Sequence, residues 1–250
     1  MIADFYQKLA LPDACYLGKR VYKKLFYENA SLSALDKKYF IEDVVDIQWS
    51  YTLKPDTIAI ARYEDHEREY HEIALMQVNL KTPQHRKRLA QIIQKAIPYP
   101  LLIAFTEGSR FALNMADKRI NQADRDKIRV EAFYDTEWLD LANLTATEAA
   151  FIDSCVCSQF SYQHFYAFYS DLLARVIALN CSQVSGQYCL DTALTRDEQV
   201  DWLNKIRQTE QKLQSLRADL KKESQFNRQV QLNMQIKQLT QTLERDKARI

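Results

Sequence analysis

The chain has 250 residues, 47% of them hydrophobic, with 34 basic and 33 acidic side chains. That length allows one large domain or a domain with an appendage, and no global charge draws the chain onto nucleic acid or acidic lipid. Three glycines and five prolines exclude a collagen-like or loop-dominated chain, and with it any glycine-built phosphate cradle.

In chain order, Met1 to Tyr6 carry neither a basic leader nor a cleavage site, so no signal peptide is expected. Residues 4–11 read as a short helix stopped by Pro12, and 33–45 as a second helix, with Ser33 as N-cap and Asp36 in its first turn. The period then changes to two. Residues 47–53 alternate as a strand, Lys54-Pro55-Asp56 is turn chemistry, and 57–61 resume a strand. After a charged loop at 64–69, residues 73–80 form the most apolar strand, the expected centre of the sheet.

Thr82 and Pro83 are expected to open the next helix as N-cap and first helical residue, with Leu89, Ile92, Ile93, Ala96 and Ile97 on its apolar face. Strands follow at 101–105, 111–115 and 128–133, the first two joined by a Glu107-Gly108 turn. The order helix, three strands, helix, strand predicts an α+β fold for residues 1–140, a mostly antiparallel sheet with flanking helices. Residues 141–193 read as an apolar helical segment packed on that sheet. Its stripes of Tyr162, Tyr166, Tyr169, Leu173 and Val176 and of Phe165, Phe168, Leu172 and Leu179 imply burial on two faces.

Residues 194–250 form a polar, coiled-coil-like arm. Trp202, Ile206, Thr209, Leu213, Leu216 and Leu220 step by four and three, the spacing of a coiled-coil seam, until the phase fails at Glu223. A second seam, Leu232, Ile236, Leu239 and Leu243, runs out of step with the first. A helical hairpin bending near 223–227 accounts for the break; a stutter in one continuous helix is the other reading. The two helices either cover one another or the sheet, or receive a partner, and narrow seams on short helices are marginal alone and want one.

Candidate chemistry is sparse. The element order resembles the core of the PD-(D/E)xK nucleases, and that resemblance implies an acidic residue on the second strand, an acidic-x-Lys on the third and a bound magnesium ion. Asp56 matches the first position, with Glu72 and Lys81 as further candidates. The third strand, however, offers Gln77-Val78-Asn79 or Asn79-Leu80-Lys81, an amide where a carboxylate is required. Glu72 lies about 23 Å along the strand from Asn79. A basic run, Arg86, Lys87 and Arg88 after His85, sits at the expected helix start, where cations oppose the helix dipole; an anion nearby would relieve that cost. Lys118 and Arg119, in a later loop, would extend such a nucleic-acid-binding patch. The other reading is an ordinary solvated face.

Cys155, Cys157, Cys181, Cys189 and His164 lack the CxxC pairing of structural zinc, and no metal site is expected. No apolar run approaches the ~18 residues of a membrane span. Five cysteines, odd in number and without framework spacing, fit reduced thiols, so the expected location is cytoplasmic, without membrane association.

Five stretches together are similar to a bacterial family catalogued as a domain of unknown function. They are 25–30 (LFYENA), 53–58 (LKPDTI), 96–100 (AIPYP), 117–121 (DKRIN) and 225–233 in the arm. The resemblance spans nearly the whole chain. It implies gene neighbours of helicase and DNA methyltransferase type in mobile or phage-defence clusters, and no established catalytic residues. The leading expectation is a non-catalytic accessory protein that docks on a DNA-processing partner, such as a helicase or methyltransferase complex, through its arm. A metal-dependent nuclease, in which magnesium would be the cofactor, and a structural homo-oligomer are the alternatives.

Overall fold

The computed structural model describes residues 2–29, 32–120 and 128–250; Ala30 and Asn121, which end two of the family-like stretches, fall outside them. In chain order the elements are α1 (Ile2–Leu9), β1 (Tyr16–Val21), α2 (Lys24–Asn29), α3 (Ala34–Glu42), β2 (Val44–Leu53), α4 (Pro55–Ile58), β3 (Tyr63–Glu64), β4 (Glu69–Tyr70), β5 (Ile73–Leu80), α5 (Arg86–Ala96), β6 (Leu101–Glu107), β7 (Arg110–Ile120), β8 (Ile128–Asp135), β9 (Leu139–Asp140), α6 (Ala146–Ser154), α7 (Phe165–Ser185), α8 (Arg196–Lys222) and α9 (Phe226–Lys247). The fold is α+β. Its chain divides into two compact units, residues 1–176 and 177–250.

In the first unit the sheet order is β1-β2-β5-β6-β7-β8, with β9 also on β7. Every pairing is antiparallel except β5 with β6, which need α5 as their crossover. β5 is central, as its apolar run implies. Met76 and Val78 of β5 and Ile103 and Phe105 of β6 pack against Leu89 and Ile93 of α5 and Phe40 of α3. Each such buried side chain contributes about 1.5–3 kcal/mol. Asn114 of β7 also faces α5, where Gln94 donates to it at 2.9 Å. Phe111, three residues earlier, points the opposite way and meets Phe5 of α1 at 5.1 Å between ring centroids. α1 therefore lies on the sheet's second face.

The structure corrects several local expectations. Residues 57–61 are not a strand. Pro55 at the first helical position and the Thr57 hydroxyl, which accepts the Lys54 N–H at 2.9 Å, make the single turn α4, and Ala59 at φ 53° ends it. The strand after α3 begins at Val44 rather than 47, so the second strand of the meander is β2, with β1 as the first. The charged loop at 64–69 contains the β3–β4 hairpin, where Asp65 accepts the N–H groups of Glu67 and Arg68 at 2.7 and 2.6 Å. α5 opens at Arg86 with His85 as N-cap, because the Thr82 hydroxyl is drawn to Asp43 at 2.7 Å instead of capping. Lys118 and Arg119 lie on β7, not in a loop.

In the second unit α8 and α9 form a hairpin. Ile206 and Leu213 of α8 and Ile236, Leu239 and Leu243 of α9 share one apolar cluster. Lys205 pairs with Asp246 at 3.0 Å and Lys247 with Glu210 at 2.8 Å. Thr195 and Glu198 complete a capping box that starts α8. The bend needs no glycine or proline. The Glu223 carboxylate accepts the N–H groups of Ser224 and Gln225, both at 2.9 Å, and Gln229 donates to the Glu223 carbonyl at 2.6 Å.

Candidate functional site

Alternation along β2, β5 and β6 places Asp46, Gln48, Ser50, Gln77, Asn79 and Thr106 on the sheet's second face. Asp46 stands opposite Asn79, whose amide donates to the Asp46 carboxylate at 2.7 Å. The Asn79 carbonyl in turn accepts from Gln77 at 2.8 Å and from the Thr106 hydroxyl. Lys23 reaches the same end of β2 and donates to the Val44 carbonyl. Burial lowers the Lys23 pKa, and the Asp46 charge acts against that shift. One carboxylate and two amides do not fit a divalent cation, which neutral amides cannot balance. Among the described residues no three His, Cys, Asp or Glu side chains gather in a geometry that could hold a metal.

Asp46 escapes sequence reasoning because the clean alternation of residues starts only at Ile47, one position after it. The signal was present: Asp46, Gln48 and Ser50 are polar at a spacing of two. Asp56 and Glu72 do come together, in a shallow cavity with Lys54, Arg62, His71 and Tyr99, and Lys54 pairs with Glu72 at 3.5 Å. Asn79 and Lys81 lie at the far end of β5, so the four candidates do not converge.

The basic run does not form one face. Arg86 is buried, donates to the Thr136 carbonyl at 3.0 Å and stacks its guanidinium on Trp138. Arg88 is committed to Asp36. Lys118 is 3% exposed and donates to the carbonyls of Ile97 and Tyr99, both at 2.7 Å. Arg119 pairs with Glu67 at 3.0 Å and Asp117 at 3.6 Å. Of the run, Lys87 alone is exposed and without a partner among the described residues. His85, outside the expected set, stacks on Tyr39 at 3.6 Å and bonds the Asp43 carboxylate at 2.6 Å.

In the hairpin, Leu213, Leu232 and Leu243 are buried, and Leu216, Leu220, Ile236 and Leu239 are half-buried along the seam. Trp202 sits at its edge beneath Lys205 and Arg249, while Leu203 takes the buried position beside it. Of the expected partner-binding residues, Ile206, Leu213, Ile236, Leu239 and Leu243 thus face one another. α9 also carries a second apolar stripe outside the heptad seam: Phe226, Val230 and Met234 are 75%, 41% and 60% exposed. At about 100° per residue this stripe centres roughly 150° from the seam. Cys15, Cys155, Cys157 and Cys181 are buried and Cys189 is exposed, each as a free thiol. Among the described residues no helix is long and apolar enough to cross a membrane.

Set against known proteins, residues 9–243 match the family described as Domain of unknown function (DUF4391). No curated protein and no solved structure matches the chain.

Proposed function

The chain belongs to the DUF4391 family, and we propose that it is a non-catalytic accessory protein that docks on a DNA-processing partner through the outer face of α9. The observation that carries this reading is the stripe of Phe226, Val230 and Met234, exposed while the hairpin's own seam is already filled. A hydrophobic row of that kind on an otherwise polar helix marks a contact surface. Its surroundings select the occupant. No acidic residue occurs between Phe226 and Leu243, Lys237 continues the line of the stripe at about 100° per residue, and Lys221 and Lys222 end α8. The complement is an amphipathic partner helix with acidic flanks, laid along α9. A nucleic acid would answer the charge and leave the apolar side chains idle.

The family resemblance supplies the probes, a helicase and a DNA methyltransferase of the kind it implies as gene neighbours. The tagged chain should co-purify with one of them on co-expression, and Phe226→Glu with Met234→Glu should abolish the complex without loss of helical content. A complex that survives both changes, or none with either partner, would sink the reading. Sedimentation of the chain alone reads the homo-oligomer alternative, in which a second copy covers the same stripe.

A metal-dependent nuclease of the PD-(D/E)xK type is the second reading. One observation favours it: Asp46 on the second strand of the β1-β2-β5 meander faces Asn79-x-Lys81 on the third. The amide at Asn79 argues for a site that has lost its metal. Cleavage of DNA or RNA in magnesium or manganese that disappears in Asp46→Ala would promote it; Asp56→Ala is the companion control.

A further inference from the structure

Between α1 and the sheet lies a cavity of about 520 Å³, within the size range of small-ligand sites. Its floor is a pair of glutamines, Gln48 of β2 and Gln77 of β5, directly opposite one another in the ladder. The Gln77 amide donates to Asn79 at 2.8 Å. Among the described residues its side-chain carbonyl has no hydrogen-bond partner, nor has any atom of the Gln48 side chain. Beside them the hydroxyls of Ser50, 2% exposed, and Tyr6 turn toward each other. Burial raises the Tyr6 pKa and Ser50 offsets part of that, yet neither hydroxyl completes a hydrogen bond of normal geometry.

The wall is aromatic. Tyr51 meets Tyr6 edge-on at 5.2 Å and Tyr16 edge-on at 5.4 Å. Tyr16 is 59% exposed, but its ring is held across Gly18, which has φ +62° and would bring a Cβ within 2.7 Å of the tyrosine hydroxyl. Only glycine permits both that backbone and that approach. Among the described residues Asp13 is the one carboxylate in the lining.

We propose that this cavity binds a planar nitrogen heterocycle of the nucleobase kind, delivered as a free nucleoside. Gln48 presents a donor and an acceptor side by side, the pattern by which glutamine and asparagine read base edges, and the Gln77 carbonyl adds a second acceptor. Tyrosine faces supply the stacking surface that every base accepts. The Asp13 carboxylate accepts from sugar hydroxyls and repels phosphate, which disfavours nucleotides and nucleic-acid strands. None of these residues belongs to α9, so the site is independent of the docking role.

The test is isothermal titration of the full chain with adenosine, guanosine, cytidine and thymidine, each also as its monophosphate and within a short single strand. One nucleoside should bind about tenfold or more tighter than its monophosphate. Gln48→Leu and Gln77→Leu should each weaken it at least about tenfold, and Gln48→Glu should change which base is preferred. Gln48 is only half-buried, so a near-ultraviolet spectrum like that of the parent confirms that these variants fold. Phe226→Glu should leave nucleoside binding unchanged. No binding of any nucleoside, affinity unaltered in Gln48→Leu, or tighter binding of the monophosphate or the strand would each overturn the assignment.

Discussion

Arg88 of α5 grips both carboxylate oxygens of Asp36 of α3, Nε to Oδ1 at 2.7 Å and Nη2 to Oδ2 at 2.8 Å. The guanidinium, helped by the Ser33 hydroxyl, holds the Asp36 pKa down to about 2. A carboxylate depressed on folding stabilises above its unfolded pKa of about 3.9 and stops doing so as pH falls through the folded value. Arg88→Ala should therefore cost about 1 kcal/mol at pH 7, a modest figure because the arginine is half-exposed. The gap between variant and parent should close between about pH 4 and pH 2. Urea unfolding across that window checks it; a gap that persists at pH 2 would mean the loss is one of packing.

Asn79→Asp would set a second carboxylate against Asp46, where the amide now donates at 2.7 Å. The change removes a hydrogen bond and adds like-charge repulsion, about 1–3 kcal/mol at neutral pH. Thermal melts should show a lower midpoint at pH 7, recovered by acid or by millimolar magnesium. If magnesium gives no recovery, the cleft is closed to metal even with two carboxylates, and the nuclease reading loses its remaining support.

Lys118 has only carbonyl partners, and burial holds its pKa well below the usual lysine range. A cation so depressed weighs against the fold at low pH, and the burden lifts as pH rises toward the unfolded value of about 10.4. The parent should gain stability from neutral pH toward pH 10. Lys118→Met should lack that gain and should leave two carbonyls unpaired, about 2 kcal/mol in all. Denaturation at pH 7, 8, 9 and 10 should show the parent's advantage growing with pH; a constant difference would contradict the charge argument.

Glu223 makes the hairpin bend by receiving two successive backbone N–H groups. Glu223→Ala should cost about 1 kcal/mol, as loss of a helix cap does. Amide exchange should quicken at Ser224 and Gln225 and through the first turn of α9, with the sheet unaffected. Unchanged exchange there would mean that the seam alone sets the bend.

Local periodicity carried the fold class, the central place of β5, the Ser33 cap and the phase break between the two arm seams, because each depends on residues a few positions apart. The α4 turn defeated it: Thr57 and Ile58 favour a strand, and Pro55 with the Thr57 hydroxyl outweighs them. β1, exposed at four of its six positions, and α2, only six residues long, carried no periodicity strong enough to read.

The site was legible only in pieces. The sequence by itself determined that the third strand of the meander carries amides at Gln77 and Asn79, and that the arm holds two seams in different phase. Only the tertiary structure decided that Asp46 rather than Asp56 meets those amides, that Arg86 and Lys118 go inward while Arg88 and Arg119 find carboxylates, and that the seams satisfy one another and leave Phe226, Val230 and Met234 outside. The reason is physical. A side chain's type follows from its own position, but its charge, hydration and partner depend on residues brought to it from distant parts of the chain, 33 positions away for Asp46 and Asn79 and 52 for Asp36 and Arg88.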